Sequence, residues 1–188
     1  ARKILNLPED RDIILFGAIR GTTDPRKGFT HLKSALRREE FHKGSAMLLV
    51  FGSEYTRDPF RVSTHFLGRI HEDHTLSLAY SAADVFVVPS VEDNLPNTVL
   101  ESLACGTPVV AFNIGGMPDM IDHQKNGYLA ASFEADDLAE GILWVLNTRK
   151  SRPDFLSENA RQKAEREFNA MSQARKYRQL YGKIVGCG

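Results

Sequence analysis

Apolar residues fall into short continuous runs separated by polar, glycine-containing or proline-containing stretches. Residues 12–17 (Asp-Ile-Ile-Leu-Phe-Gly), 47–51 (Met-Leu-Leu-Val-Phe), 62–67, 84–88 (Asp-Val-Phe-Val-Val) and 109–112 (Val-Val-Ala-Phe) are rich in β-branched and aromatic side chains. Runs of this kind, apolar at consecutive positions, predict strands buried on both faces of a parallel sheet. Between them the spacing changes to that of a helix. Phe29, Leu32 and Leu36 mark a helix over 27–36, Leu76, Leu78 and Ala79 one over 73–82, and Val99, Leu100, Leu103 and Ala104 one that Gly106 closes and Pro108 keeps from resuming. Gly115-Gly116 permits a tight turn into a further helix start at Pro118, and Leu138, Ile142, Leu143, Val145 and Leu146 mark a late helix. Trp144 in that helix reads as a core or edge packer. Strands alternating with helices predict an α/β fold, a Rossmann-like parallel sheet flanked by helices.

The most informative segment follows the fourth run. Pro89 ends that strand, and the acidic stretch Ser90-Val91-Glu92-Asp93-Asn94-Leu95-Pro96-Asn97-Thr98 leads into a helix. The segment therefore lies at the carboxyl end of a strand, where open α/β sheets bind ligands and helix amino termini offer unpaired N–H groups and positive dipole ends. Asn97 and Glu101 are four residues apart on one helix face. Helical side chains lean toward the amino terminus, so Glu101 is expected to point back at the loop carrying Asp93. A carboxylate placed there accepts from two vicinal hydroxyls, as acidic residues do with ribose. The plainer reading is a solvated acidic turn ahead of an amphipathic helix.

A second constellation lies between the first strand and the first helix, where Arg20, Arg26 and Lys27 stand. Cations at a helix amino terminus oppose its dipole unless an anion lies between them and the exposed N–H groups. A diphosphate would meet that need; the plainer alternative is that Arg20 and Arg26 are solvated loop charges.

These motifs together resemble one family. Proline-serine, an acid, seven residues, a glutamate, small residues, Cys105-Gly106-Thr107-Pro108-Val109-Val110-Ala111, then Gly115-Gly116-Met117-Pro118-Asp119 and Asn126-Gly127-Tyr128-Leu129 resemble the retaining glycosyltransferases of the glycogen-synthase-like GT-B group (glycosyl transferases group 1, family 4 type), over residues 13–146. The resemblance implies that Glu101 holds the ribose of a nucleoside-diphosphate-sugar donor, UDP- or GDP-linked, and that Asp93, with the loop Asn94, Leu95, Pro96, Asn97 and Thr98, touches the transferred sugar. It implies that Lys27 and Arg20, beside Gly17, hold the diphosphate, and that Arg69 and Ile70 offer main-chain groups to the base. Lys27, Arg20 and Asp93 are thus the implied catalytic residues. Three features depart from the family pattern. Asp93 replaces the usual glutamate and has Glu92 as a competing neighbour, Asn94-Leu95-Pro96 replaces glycine, phenylalanine and glycine, and Ala18 follows Gly17 directly.

Composition adds limits. With 42% hydrophobic and 26% charged residues, the 188-residue chain is an ordinary globular one able to bury a core. The 24 basic and 24 acidic residues balance, which argues against general nucleic-acid binding. Cys105 and Cys187 form no metal pattern and need no oxidising compartment. No apolar run approaches the roughly 20 residues of a spanning helix, and the first residues lack a signal-peptide core. A cytoplasmic location is expected, with peripheral association at the inner face of a membrane as a further expectation for the full-length enzyme. His71-Glu72-Asp73-His74 is not a metal-binding pattern, and Ser90 lacks the glycines of a nucleophile elbow. No metal and no cofactor are expected beyond the donor substrate.

One domain fits the length, with residues 1–11 as lead-in, 12–150 as the Rossmann-like core and 151–188 as closing helices. A complete GT-B enzyme needs about twice this length, so the chain reads as the donor-binding half, with the acceptor domain absent and little activity of its own. From residue 154 onward an intermittent apolar stripe (Ala160, Ala164, Phe168, Met171, Ala174, Tyr177, Tyr181, Ile184) fits either a helix completing this domain or, by the resemblance, one crossing to the other domain. The alternatives to a transferase are half of a nucleotide-sugar epimerase and a non-catalytic nucleotide-binding or scaffold module.

Overall fold

In the computed structural model, which describes residues 1–17, 24–42, 46–53 and 61–186, six strands form one parallel sheet. They are β1 (Asp12–Gly17), β2 (Ala46–Phe51), β3 (Ser63–Gly68), β4 (Val85–Val88), β5 (Val109–Phe112) and β6 (Gly127–Ala130), in the order β3-β2-β1-β4-β5-β6. The helices are α1 (Phe29–Ala35), α2 (Asp73–Ala82), α3 (Asn97–Ala104), α4 (Met117–Met120), α5 (Ala135–Ser151), α6 (Phe155–Glu167) and α7 (Ala170–Val185).

The period-2 geometry of the strands explains their unbroken hydrophobicity. Ile14, Phe16, Leu48, Val50, Val85 and Val87 face one side, where α1 and α5 cover them with Leu32, Ala35, Ile142 and Val145. Ile13, Leu15, Leu49, Phe86 and Val88 face the other, under Tyr80 of α2, Val99 and Leu103 of α3, Met117 and Met120 of α4 and Ala160 of α6. Both faces are therefore dry, as a parallel sheet requires. Trp144 packs beside Tyr128 with ring centroids 6.1 Å apart, as its helix position predicts.

Two sequence expectations change. Residues 62–67 read as a buried strand, but β3 is the sheet's edge, with Ser63 and His65 exposed and the rest half-buried. The helix expected over 27–36 begins instead at Phe29. Pro25–Lys27 form a separate 3-10 turn, and Gly28 turns the chain between the two at φ +67°. The apolar stripe after residue 154 divides into α6, which is docked on α3, and α7, which buries none of its residues.

The strand order reverses between β1 and β4. Chain connections diverge to opposite sides there, leaving a crevice outside the carboxyl ends of these two strands.

Candidate nucleotide-sugar site

The crevice at the strand reversal is built by two segments that hold each other by their backbones. Arg26 O accepts a hydrogen bond from Val91 N at 2.8 Å, tying the turn before α1 to the loop after β4. At Gly28 a Cβ would lie 1.6 Å from Pro89 O, so only glycine permits this approach, and its left-handed φ adds a second reason. This contact carries Lys27 across to the acidic loop, where its Nζ lies 2.8 Å from Asp93 Oδ2. The same carboxylate accepts from Asn94 N at 3.1 Å and, at a long 3.4 Å, from Ser90 Oγ. Phe16, Gly17, Lys27, Pro89, Asp93 and Thr98 are among the walls of the resulting hollow.

The electrostatic conflict foreseen for Arg26 and Lys27 is thus resolved by the chain's own acids. Asp24 Oδ1 accepts from Arg26 N at 3.0 Å and its Oδ2 pairs with Arg26 Nη2 at 2.8 Å; the hydrogen bond from the Arg26 side chain holds the Asp24 carboxyl below its ordinary range. Lys27 has its own ion pair, with Asp93. These cations alone therefore do not require an external anion. With the pair closed the hollow measures about 10 Å³, about the room of a single water.

The helix that follows opens without a side-chain cap. Pro96 occupies the cap position of α3 and contributes no side-chain hydrogen bond; Val99 N donates to its carbonyl oxygen at 3.0 Å, and among the described residues no side chain caps the first turn. Thr98 reaches the hollow, whereas Asn97 is exposed. One turn on, Glu101 is half-buried and is not among the walls of the hollow; its Oε2 accepts from the Tyr80 hydroxyl of α2 at 3.0 Å. Sequence reasoning missed Tyr80, whose position on the apolar face of α2 signals only burial. Burial, and then the neighbouring Glu101 charge, push the Tyr80 pKa far upward, so the hydroxyl stays a donor.

The acidic loop is braced from the far side. Gly116 N donates to Asn94 O at 2.8 Å, and a Cβ on Gly116 would meet that oxygen at 2.4 Å and Leu95 Cδ2 at 2.8 Å. Leu95 itself is 49% exposed. Arg69 and Ile70 follow β3 on the same edge of the sheet, two strands from β1. Arg69 is exposed and Ile70 packs against the core, and neither is among the walls of the hollow. Arg20 lies outside the described residues.

A larger cavity, about 630 Å³, opens at the opposite edge near Asp12 and Ala46, but its charged walls are already committed, Lys150 to Asp12 and Arg38 to Glu40 and Glu140. Size favours that cavity, while convergent polar groups and the strand reversal favour the smaller hollow, and the chemistry decides for the latter. Among the described residues no group of three or more His, Cys, Asp or Glu is placed to hold a metal, and no helix is long and apolar enough to cross a membrane.

Comparison with known proteins agrees with the fold and the motifs. The family model described as glycosyl transferases group 1 matches residues 1–163. An uncharacterized glycosyltransferase of Methanocaldococcus jannaschii is 30% identical over 177 residues, 89% of this chain and 44% of that protein. The sulfoquinovosyl transferase of Arabidopsis thaliana is 36% identical over 104 residues, 54% of this chain and 20% of its own length. Among solved structures, a sucrose-phosphate synthase of Thermosynechococcus elongatus superposes with TM-score 0.80 at 28% identity, over 100% of this chain and 49% of that one. An Anabaena protein solved with UDP-glucose shares the fold with TM-score 0.76 at 19% identity, over 97% of this chain and 51% of that one. The chain thus spans about half or less of each of these proteins. Its parallel Rossmann-like sheet, its acid-loop-helix segment at the strand reversal and the family match over residues 1–163 together make this chain a member of the group 1 glycosyl transferases.

Proposed function

We infer that the chain is the donor-binding domain of a retaining GT-B glycosyltransferase that moves a sugar from a nucleoside-diphosphate sugar to an acceptor hydroxyl in polysaccharide or glycolipid synthesis. The observation that carries this reading is the meeting of Lys27 and Asp93, 2.8 Å apart, at the strand reversal beside the first turn of α3. Cleaving the anomeric carbon–oxygen bond leaves negative charge on the departing diphosphate. Lys27, with Arg20 and the N–H groups at the start of α3, meets that charge as it develops; fixed donors of this kind are worth about 2.7–4 kcal/mol each in mutational tests. Glu101 accepts from the ribose hydroxyls, and Asp93, released from Lys27, accepts from hydroxyls of the sugar. Arg69 and Ile70 meet the base through their main chain. These roles need no metal.

The acceptor hydroxyl arrives on the face that the leaving group vacates, brought by a second domain outside this chain. The unpartnered apolar side of α7, with Met171, Tyr177, Tyr181 and Ile184 all more than half exposed, supports a contact with that domain. Uridine diphosphate is the first ligand to try, because the Anabaena structure that shares the fold was solved with UDP-glucose. Isothermal calorimetry of this chain with UDP and GDP tests the reading. Binding of one of them, weakened by both Lys27→Ala and Glu101→Ala, is the expected result; no binding of either nucleotide, or no effect of either substitution, overturns it.

A further inference from the structure

We propose that the Tyr80 hydroxyl is a positioning group for the Glu101 carboxylate, holding it in the orientation that receives the pentose of the donor; this rests on the reading of Glu101 as the ribose ligand. Tyr80 is 1% exposed, and its ring stands edge-on to Phe51 and to Phe86, with centroids 5.7 and 5.3 Å away and interplanar angles of 81° and 84°. Its main chain is fixed as well. The carbonyl oxygen accepts from Thr107 Oγ1 at 2.7 Å, and Ser102 Oγ donates to Thr107 O at 3.0 Å, so the residue is tied to the carboxyl end of the helix that carries Glu101. The hydroxyl thus occupies a point set by the core.

Glu101 has no such support of its own. It is half-buried, has three side-chain torsions, and among the described residues its one side-chain hydrogen bond is the 3.0 Å contact from Tyr80 to Oε2. A glutamate ordered only when ligand arrives gives up its rotamer freedom at that moment. Ordering it beforehand leaves Oε1, and the second lone pair of Oε2, directed at a vicinal diol. A merely structural bond would serve the buried hydroxyl and add nothing to ligand binding.

The two roles separate with a ligand that lacks the diol. Binding of UDP, or of GDP if that is the nucleotide the unsubstituted chain takes, is compared with binding of its 2′,3′-dideoxy form for the unsubstituted chain, Tyr80→Phe, Glu101→Ala and the double variant. Tyr80→Phe is expected to weaken the ribonucleotide about tenfold, the size of one hydrogen bond to a charged group. It is expected to leave the dideoxy form unchanged, which also reports that the variant is folded, and to have no further effect in the Glu101→Ala background. Equal weakening of both ligands by Tyr80→Phe, or none of the ribonucleotide while Glu101→Ala does weaken it, overturns this proposal and leaves the ribose role of Glu101 standing. No effect of Glu101→Ala removes the ribose role and the proposal with it.

Discussion

Replacing Asp93 with asparagine tests whether the ion pair with Lys27 competes with the donor diphosphate. The pair is 2.8 Å long, with side chains 27% and 16% exposed, between the surface and buried regimes. Exposed pairs contribute about 0–1 kcal/mol and breaking a buried one costs about 3–5 kcal/mol, so about 1–2 kcal/mol is the energy a diphosphate must spend to part this one. Asparagine keeps an oxygen for the 3.1 Å bond from Asn94 N, so the loop retains its local support while the charge is removed. UDP is then expected to bind about tenfold more tightly to Asp93→Asn than to the unsubstituted chain, since each 1.4 kcal/mol is a factor of ten. UDP-glucose is expected to gain less, because the sugar loses its carboxylate partner. Calorimetry on both ligands reads the difference directly. Unchanged or weaker UDP binding by Asp93→Asn would show that Asp93 orients the Lys27 ammonium for the phosphate rather than occupying it, and would refute the competition.

Two further outcomes follow from the geometry. Gly28→Ala places a left-handed φ and a Cβ within 1.6 Å of Pro89 O, so urea denaturation is expected to show a loss of about 2–5 kcal/mol, with nucleotide binding weakened as the turn carrying Lys27 is pushed from the acidic loop. The Tyr128 hydroxyl donates to Asp137 Oδ1 at 2.9 Å, and burial, followed by that bond, pushes its pKa from 10.0 up to about 12. The folded state therefore holds this proton more tightly than the unfolded one, and the contribution is full below pH 10 and lost as pH rises from 10 to 12. Melting curves across that range are expected to fall less steeply for Tyr128→Phe than for the unsubstituted chain, and parallel curves would count against the shift.

The strands were legible because a parallel sheet covered on both faces leaves no polar position in its interior. β1, β2, β4 and β5 are apolar at nearly every residue and lie within one residue of their predicted bounds. β3 is the exception, because Ser63, Thr64 and His65 are polar at consecutive positions and lie at the sheet's edge, half-buried or exposed. The site was legible as chemistry and much less so as contacts. Asp93 and Lys27 are 66 positions apart, and nothing in their local spacing pairs them. Helical spacing put Glu101 one turn beyond Asn97, but the carboxylate is held from α2, and an aromatic residue among apolar ones carries no sign that its hydroxyl emerges beside an acid. Phe29, Leu32 and Leu36 define a period without saying where it begins, and α1 starts two residues later than the expected helix. The left-handed turn at Gly28 brings its backbone against Pro89, a contact 61 positions away in the chain that local spacing does not show.

The departures from the family pattern in the acidic loop have a common physical consequence. Where resembling enzymes carry glycines in that loop, this chain has Asn94-Leu95-Pro96, and the close approach is made from the other side by Gly115 and Gly116, whose added Cβ atoms would come within 2.1 Å of Asp93 O and 2.4 Å of Asn94 O. Proline fixes its own φ and restricts the residue before it, so Leu95 and Pro96 stiffen the loop that glycines would leave free. A stiff loop places the shorter Asp93 reproducibly, and the 2.8 Å contact with Lys27 requires such placement, because one methylene less gives the carboxylate less reach with which to correct an error in the backbone. The shorter acid, the rigid loop and the glycine brace are therefore coupled. Glutamate at position 93 would carry the carboxylate about one bond beyond the point at which Asp93 now meets Lys27.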